Sequence, residues 1–334
     1  MFYPTEFYSE EYVKEQKIKA EKREIRKAAN LLGVAFLIMT AIMVLWSLPL
    51  GFLAGLGIIK QQVLFDFLND TTALQGIQIG ISSLAFILSY FIYAKMMGRR
   101  LSDICAFNKP KKKGIVFPYV IFGFGACGIA NILTNIAGAI FQSMGFEYEL
   151  NLPEEPTSTL GIILAFIATA VTPALVEEFA MRGSVFGVLK KYGNSFAIIT
   201  SAAVFGLMHG NFAQIPFAFI VGLYFAFVTV KTGTIWTAVI IHFFNNFISL
   251  ALSYLTKGMS QYDLGIINVI YMGLLLLLGV VGFFLLYKKG EADFTVENEE
   301  SLLTTPQKLK VFFTAPCMII VYIVVLIEAI FVYA

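Results

Sequence analysis

Two histidines, His209 and His242, are the only imidazoles in this 334-residue chain, and each lies inside a long apolar run. A third polar cluster interrupts another such run, in the order Val176-Glu177-Glu178-Phe179-Ala180-Met181-Arg182-Gly183. Ionisable side chains inside a bilayer are costly and by default mark a pathway or an active site. An acid and two imidazoles on three neighbouring helices predict proton-transfer or metal-assisted chemistry.

Spacing divides the labour within the acidic cluster. Glu178 and Arg182 are four apart on a helix, share a face and predict an ion pair. Glu177 is turned by about 100° from Glu178 and has no basic residue three or four positions away. Glu178 and Arg182 are therefore assigned a supporting role, and Glu177 is left for chemistry. The plainer alternative puts both acids in water at the cytoplasmic interface. Pro173, which lacks a backbone donor, is expected to kink the helix beside the acids.

Alone, His209 in Phe205-Gly206-Leu207-Met208-His209 reads as a packing residue. With a turn near Tyr192-Gly193-Asn194, however, Glu177 lies 15 residues before Tyr192 and His209 lies 15 after Asn194. At the α-helical rise both sit on the order of 20 Å from that turn, so two antiparallel helices would place them face to face. His242 and Asn246, four apart, point the same way, with Asn245 on an adjacent face. Asn131 and Asn135 repeat the spacing and are expected to bridge helices, a common use of uncharged polar groups in membranes.

Two chemistries fit these groups. Glu177 and an imidazole could share a proton with a water that attacks an amide carbonyl, while His242 and Asn246 donate to the oxyanion. Alternatively Glu177, His209 and His242 could ligate a divalent metal such as zinc with one open position. The residues leave this choice open. There is no His-Glu-x-x-His run, no intramembrane Gly-x-Ser-x-Gly and no Gly-x-Gly-Asp.

The elements that must position these groups are membrane helices. The chain is 58% hydrophobic and only 14% charged, against about a quarter charged in soluble domains. A net charge of +2 gives no reason to invoke nucleic acid. Nine candidate spans of about 20 residues follow: 31–58, 77–97, 115–141, 160–185, 196–210, 212–230, 234–254, 266–287 and 311–333. The fifth is short and the fourth carries the acids, as expected of helices that line a cavity. Lysines and arginines concentrate before the first span and after the second, fourth, sixth and eighth, whereas the stretch Glu147–Glu155 has acids and no base. That alternation predicts a multi-pass membrane protein with its N-terminus cytoplasmic and Ala334 outside; its compact, Lys-rich, loop-poor style looks like that of a bacterial plasma-membrane protein. Residues Tyr12–Lys27 read as an amphipathic helix on the cytoplasmic surface, and no cleavable signal peptide is visible. Cys105, Cys127 and Cys317 have no Cys-x-x-Cys spacing, and the two in apolar runs read as small hydrophobes.

Glu177-Glu178-x-x-x-Arg182, Phe205-x-x-x-His209 and His242-x-x-x-Asn246, in that order on successive helices, resemble the CAAX-protease and bacteriocin-processing (CPBP) family of intramembrane proteases. The family is also called Abi, or type II CAAX prenyl endopeptidase. The match runs over roughly 160–250. It implies an all-α polytopic bundle of eight or nine spans with a polar intramembrane cavity. Residues 1–30 would form a charged cytoplasmic segment, 31–157 N-terminal spans, 158–256 the catalytic core and 257–334 C-terminal spans. It further implies a glutamate- or metallo-endopeptidase acting on a membrane-associated protein or peptide, with the lipid bilayer as its other partner. By position, Glu177 would activate water with His209, while His242 and Asn246 would bind the oxyanion or help to hold a metal. Two rivals remain: a non-catalytic scaffold or bacteriocin self-immunity protein with the same fold, and a proton-coupled transporter. The latter should show internal repeats, and none is visible.

Overall fold

The computed structural model describes residues 10–145, 155–298 and 301–333, and within these every regular element is a helix. The acidic stretch Glu147–Glu155 falls outside them except for Glu155, as does Ala334. In chain order the helices are α1 (Glu10–Leu45), α2 (Leu48–Gly55), α3 (Gln61–Asn69), α4 (Thr71–Met96), α5 (Val116–Ser143), α6 (Thr159–Tyr192), α7 (Asn194–Leu207), α8 (Ile215–Thr232), α9 (Trp236–Leu255), α10 (Gln261–Lys288), α11 (Thr305–Phe313) and α12 (Pro316–Tyr333). Among the described residues seven spans are long and apolar enough to cross a membrane. An eighth is counted if α11 and α12, bent by 69°, are taken together. The chain is a multi-pass, all-α membrane protein.

Several boundaries differ from expectation, each for a local reason. α1 runs unbroken from the charged segment into the first span, so Tyr12–Lys27 is not a separate surface helix. Ile25, Ala28, Ala29 and Leu32 are buried along one stripe, which fixes the charged half as an extension of the span. The expected span 31–58 lies within one span, Glu10–Gly55, which carries a short turn after Leu45, with Pro49 in the first turn of α2. α4 begins at Thr71, six residues before the expected Ile77, because Asp70 caps it. Its carboxylate accepts from the Thr72 and Ala73 amides at 2.9 and 3.2 Å. The expected fifth span is the apolar helix α7, which at 14 residues is too short to count among the spans.

One continuous buried cluster joins the bundle, drawing Leu32, Tyr90, Tyr119, Met181, Phe205, Phe225, Ile241, Leu275 and Met318 from different helices. The tightest seam is between α5 and α10. A Cβ on Gly125 would stand 2.5 Å from the Gly279 Cα, and one on Gly282 only 2.2 Å from the Phe122 backbone nitrogen. Small residues let membrane helices approach this closely. Gly282→Ala should therefore destabilise the protein by at least about 1–3 kcal/mol through overpacking. The check is the thermal midpoint of detergent-solubilised protein, and an unchanged midpoint would refute backbone contact at this seam.

Candidate active site

α6 carries the acids, and it is not a regular helix. Two π-helical segments, Ile167–Val171 and Phe179–Val185, flank the α-helical stretch Thr172–Glu178. Wide turns of this kind recur at functional sites. Their arrangement follows partly from Pro173, which has no N–H to offer the Thr169 carbonyl four residues earlier. Asn246 of α9 supplies a donor instead, its Nδ2 reaching the Thr169 oxygen at 3.0 Å. Asn246 thus ties α9 to α6, and its Oδ1 accepts from Asn245 Nδ2 at 3.1 Å. On the other side of α6, Ser184 Oγ donates to the Tyr90 carbonyl at 2.7 Å and locks the helix to α4.

The ion pair expected between Glu178 and Arg182 is present, with Nη1 to Oε1 at 3.0 Å and both side chains wholly buried. Arg182 also donates through Nη2 to the Gly222 carbonyl at 3.1 Å. Its guanidinium lies over the rings of Phe205 and Phe225, 4.5 and 5.1 Å from their centroids. A buried arginine therefore has a carboxylate, a carbonyl and two aromatic faces around it, which compensates for its lost hydration.

His242 stands between the two acids. Its Nδ1 is 2.9 Å from Glu178 Oε1, and its Nε2 is 3.9 Å from Glu177 Oε2. Because the ionised carboxylate of Glu178 can only accept, Nδ1 carries a hydrogen and Nε2 faces Glu177. The Glu177 side chain retains 15% of its exposure, against none for Glu178. With one proton held between Glu177 and His242, the formal charges of Glu177, Glu178, Arg182 and His242 cancel, a condition that burial favours.

His209 lies just beyond the end of α7. Its Nδ1 is 2.8 Å from the Phe205 carbonyl, which can only accept, so the hydrogen is on Nδ1 and Nε2 keeps a lone pair. No hydrogen bond or ion pair joins His209 to Glu177. The imidazole in direct contact with the acids is that of His242. The Phe205 ring stands edge-on to both imidazoles, 5.2 Å from His209 and 5.9 Å from His242. As placed, Glu177, His209 and His242 do not form a three-donor metal site, and no such group occurs among the described residues. The asparagine expectation on α5 also changes. Asn131 donates to the Cys127 carbonyl of its own helix at 3.0 Å, and Asn135 is exposed, so neither bridges helices.

Two contributors were missed in the sequence. Gly222 supplies a carbonyl, for which no side-chain signal exists. Glu328, the one acid in the apolar stretch of α12, packs against the residue after His209. A Cβ on Gly210 would come within 2.9 Å of its Oε2, and Gly210 has a left-handed φ of +64°. An acid isolated in a span is itself a signal, and it should have been weighed with the other three clusters. The loop there is held by Asn211, whose Nδ2 donates to the His209 carbonyl at 2.7 Å and whose Oδ1 accepts from the Gln214 amide at 2.8 Å.

Residues 159–248 match the family model described as type II CAAX prenyl endopeptidase Rce1-like. A Bacillus subtilis (strain 168) protein, provisionally named membrane peptidase YdiL, is 27% identical over 141 residues, covering 40% of this chain and 54% of that protein. The chain thus spans about half the length of this curated relative. No solved structure matches it.

Proposed function

We propose, for a chain with a CAAX-protease-type core, that it is an intramembrane endopeptidase hydrolysing a peptide bond of a membrane-associated protein or peptide. The observation that carries this reading is the His242 bridge. One acid is sealed behind the imidazole and neutralised by Arg182, while the other remains accessible. The reaction begins with the shared proton on His242 Nε2, which leaves Glu177 free to act as the base. A water held by Glu177, with its other hydrogen towards the lone pair of His209 Nε2, attacks the carbonyl carbon. Glu177 takes the water's proton as the C–O bond forms. The oxyanion is met by the Nε2–H of His242 and by the second Nδ2 hydrogen of Asn246. The tetrahedral intermediate collapses by breaking the C–N bond, and Glu177 returns its proton to the departing amine.

The test compares peptide termini in membranes from cells carrying the wild-type chain and cells carrying Glu177→Ala. Loss of a general base predicts a fall of about 10²–10⁴-fold in the formation of specific termini. Those termini would name the substrate and, from its topology, the side on which the cavity opens. Identical sets of termini, with the variant normally inserted, would instead favour a non-catalytic binding role.

A further inference from the structure

The helix α1 segregates its charges where it enters the membrane. Glu21 turns inward, accepting from Ser301 Oγ and lying 3.8 Å from the Nζ of Lys308, a lysine that is itself buried. Glu24 is likewise half-buried. The bases face out. Lys19, Lys22, Arg23, Arg26 and Lys27 fall on one helical stripe and line a groove of about 510 Å³. The stripe ends at Asn30 and Leu31, where the apolar run begins. Lys19 is paired with Glu15 at 2.8 Å, but Lys22, Arg23, Arg26 and Lys27 have no ion pair among the described residues. Four bases gathered on one stripe without ion-pair partners call for an anion from outside.

Depth identifies that anion. Lys27 is four residues before Leu31 and Arg23 is eight, so they stand about 6 and 12 Å above the start of the apolar run. The headgroup layer is roughly 5–8 Å thick on each side of the hydrocarbon core. Arg26 and Lys27 therefore lie at phosphate level, Arg23 reaches it with its long side chain, and Lys19 lies above it. We infer that this groove is a binding site for the phosphate headgroup of an anionic phospholipid, seated on Arg23, Arg26 and Lys27 with its acyl chains beside Leu31. The site is separate from the peptidase chemistry and does not depend on it.

The test uses the purified full chain in detergent with equimolar phosphatidylglycerol and phosphatidylcholine, and counts the retained lipids by native mass spectrometry. The wild-type chain should retain phosphatidylglycerol in preference. Each of Arg23→Gln, Arg26→Gln and Lys27→Gln should weaken that retention by about fivefold, following the contribution of a single cation near an anionic surface. Lys14→Gln with Lys17→Gln, on the same helix but beyond headgroup reach, should change nothing. Equal retention of the two lipids by the wild type, an undiminished preference in the three variants, or an equal loss in the Lys14/Lys17 control would each overturn the site. All the substituted side chains are exposed, and an unchanged thermal midpoint confirms that the variants are folded.

Discussion

Arg182→Leu should leave little folded protein in the membrane. The substitution strands Glu178, which is wholly buried and loses the partner that neutralises it. Removing one member of a buried ion pair costs about 3–5 kcal/mol, a large fraction of the roughly 5–15 kcal/mol that holds an ordinary domain together. The Gly222 carbonyl loses its donor and two aromatic rings lose their cation as well. Protease resistance and monodisperse extraction from membranes are the readouts. Glu178→Gln should be milder, because an amide can still accept from Arg182, but it should still damage stability more than chemistry. A stable but inactive Glu178→Gln protein would reverse the roles assigned to the two acids. Normal accumulation of Arg182→Leu would mean that the pair is not the keystone of the core.

His242→Ala should lower turnover by about 10²–10³-fold, the usual effect of deleting one oxyanion donor. The assay follows the termini that depend on Glu177. His242 also shields Glu178, so the variant must be shown to be folded first. Asn246→Ala is a useful contrast. It removes the donor to Thr169 at 3.0 Å together with a candidate oxyanion contact, so its effect should divide between stability and rate. Near-normal turnover in folded His242→Ala protein would remove this residue from the mechanism.

Much of this was legible in the residues. Apolar lengths and loop charges predict a polytopic bundle, and eight of the nine expected spans meet the length and composition test if the bent pair counts as one. The i, i+4 spacing of Glu178 and Arg182 predicts their ion pair because that stretch stays helical. What spacing could not supply was azimuth. Residue counting set Glu177 level with His209, but that His242 would stand between the two acids depends on rotation about α6, and so on π turns that no composition announces. The pairing of Asn246 with Thr169 was also hidden, although Pro173 marked the carbonyl that has no N–H four residues on. At the ends, the charged stretch before Leu31 looked separable because charge and apolarity change there, while the backbone continues through the change.

The wide turns of α6 have a consequence for how such a site can be gained or lost. A helical segment closed by i to i+5 bonds holds one residue more than the α-turn it replaces. Deleting a single residue from Phe179–Val185 would let the segment close as an ordinary helix with everything beyond it still facing the same way. The same deletion in the regular stretch Thr172–Glu178 would swing all that follows by about 100°. The wide turns are therefore the places where the length of α6 can change at least cost to the direction of the side chains beyond them.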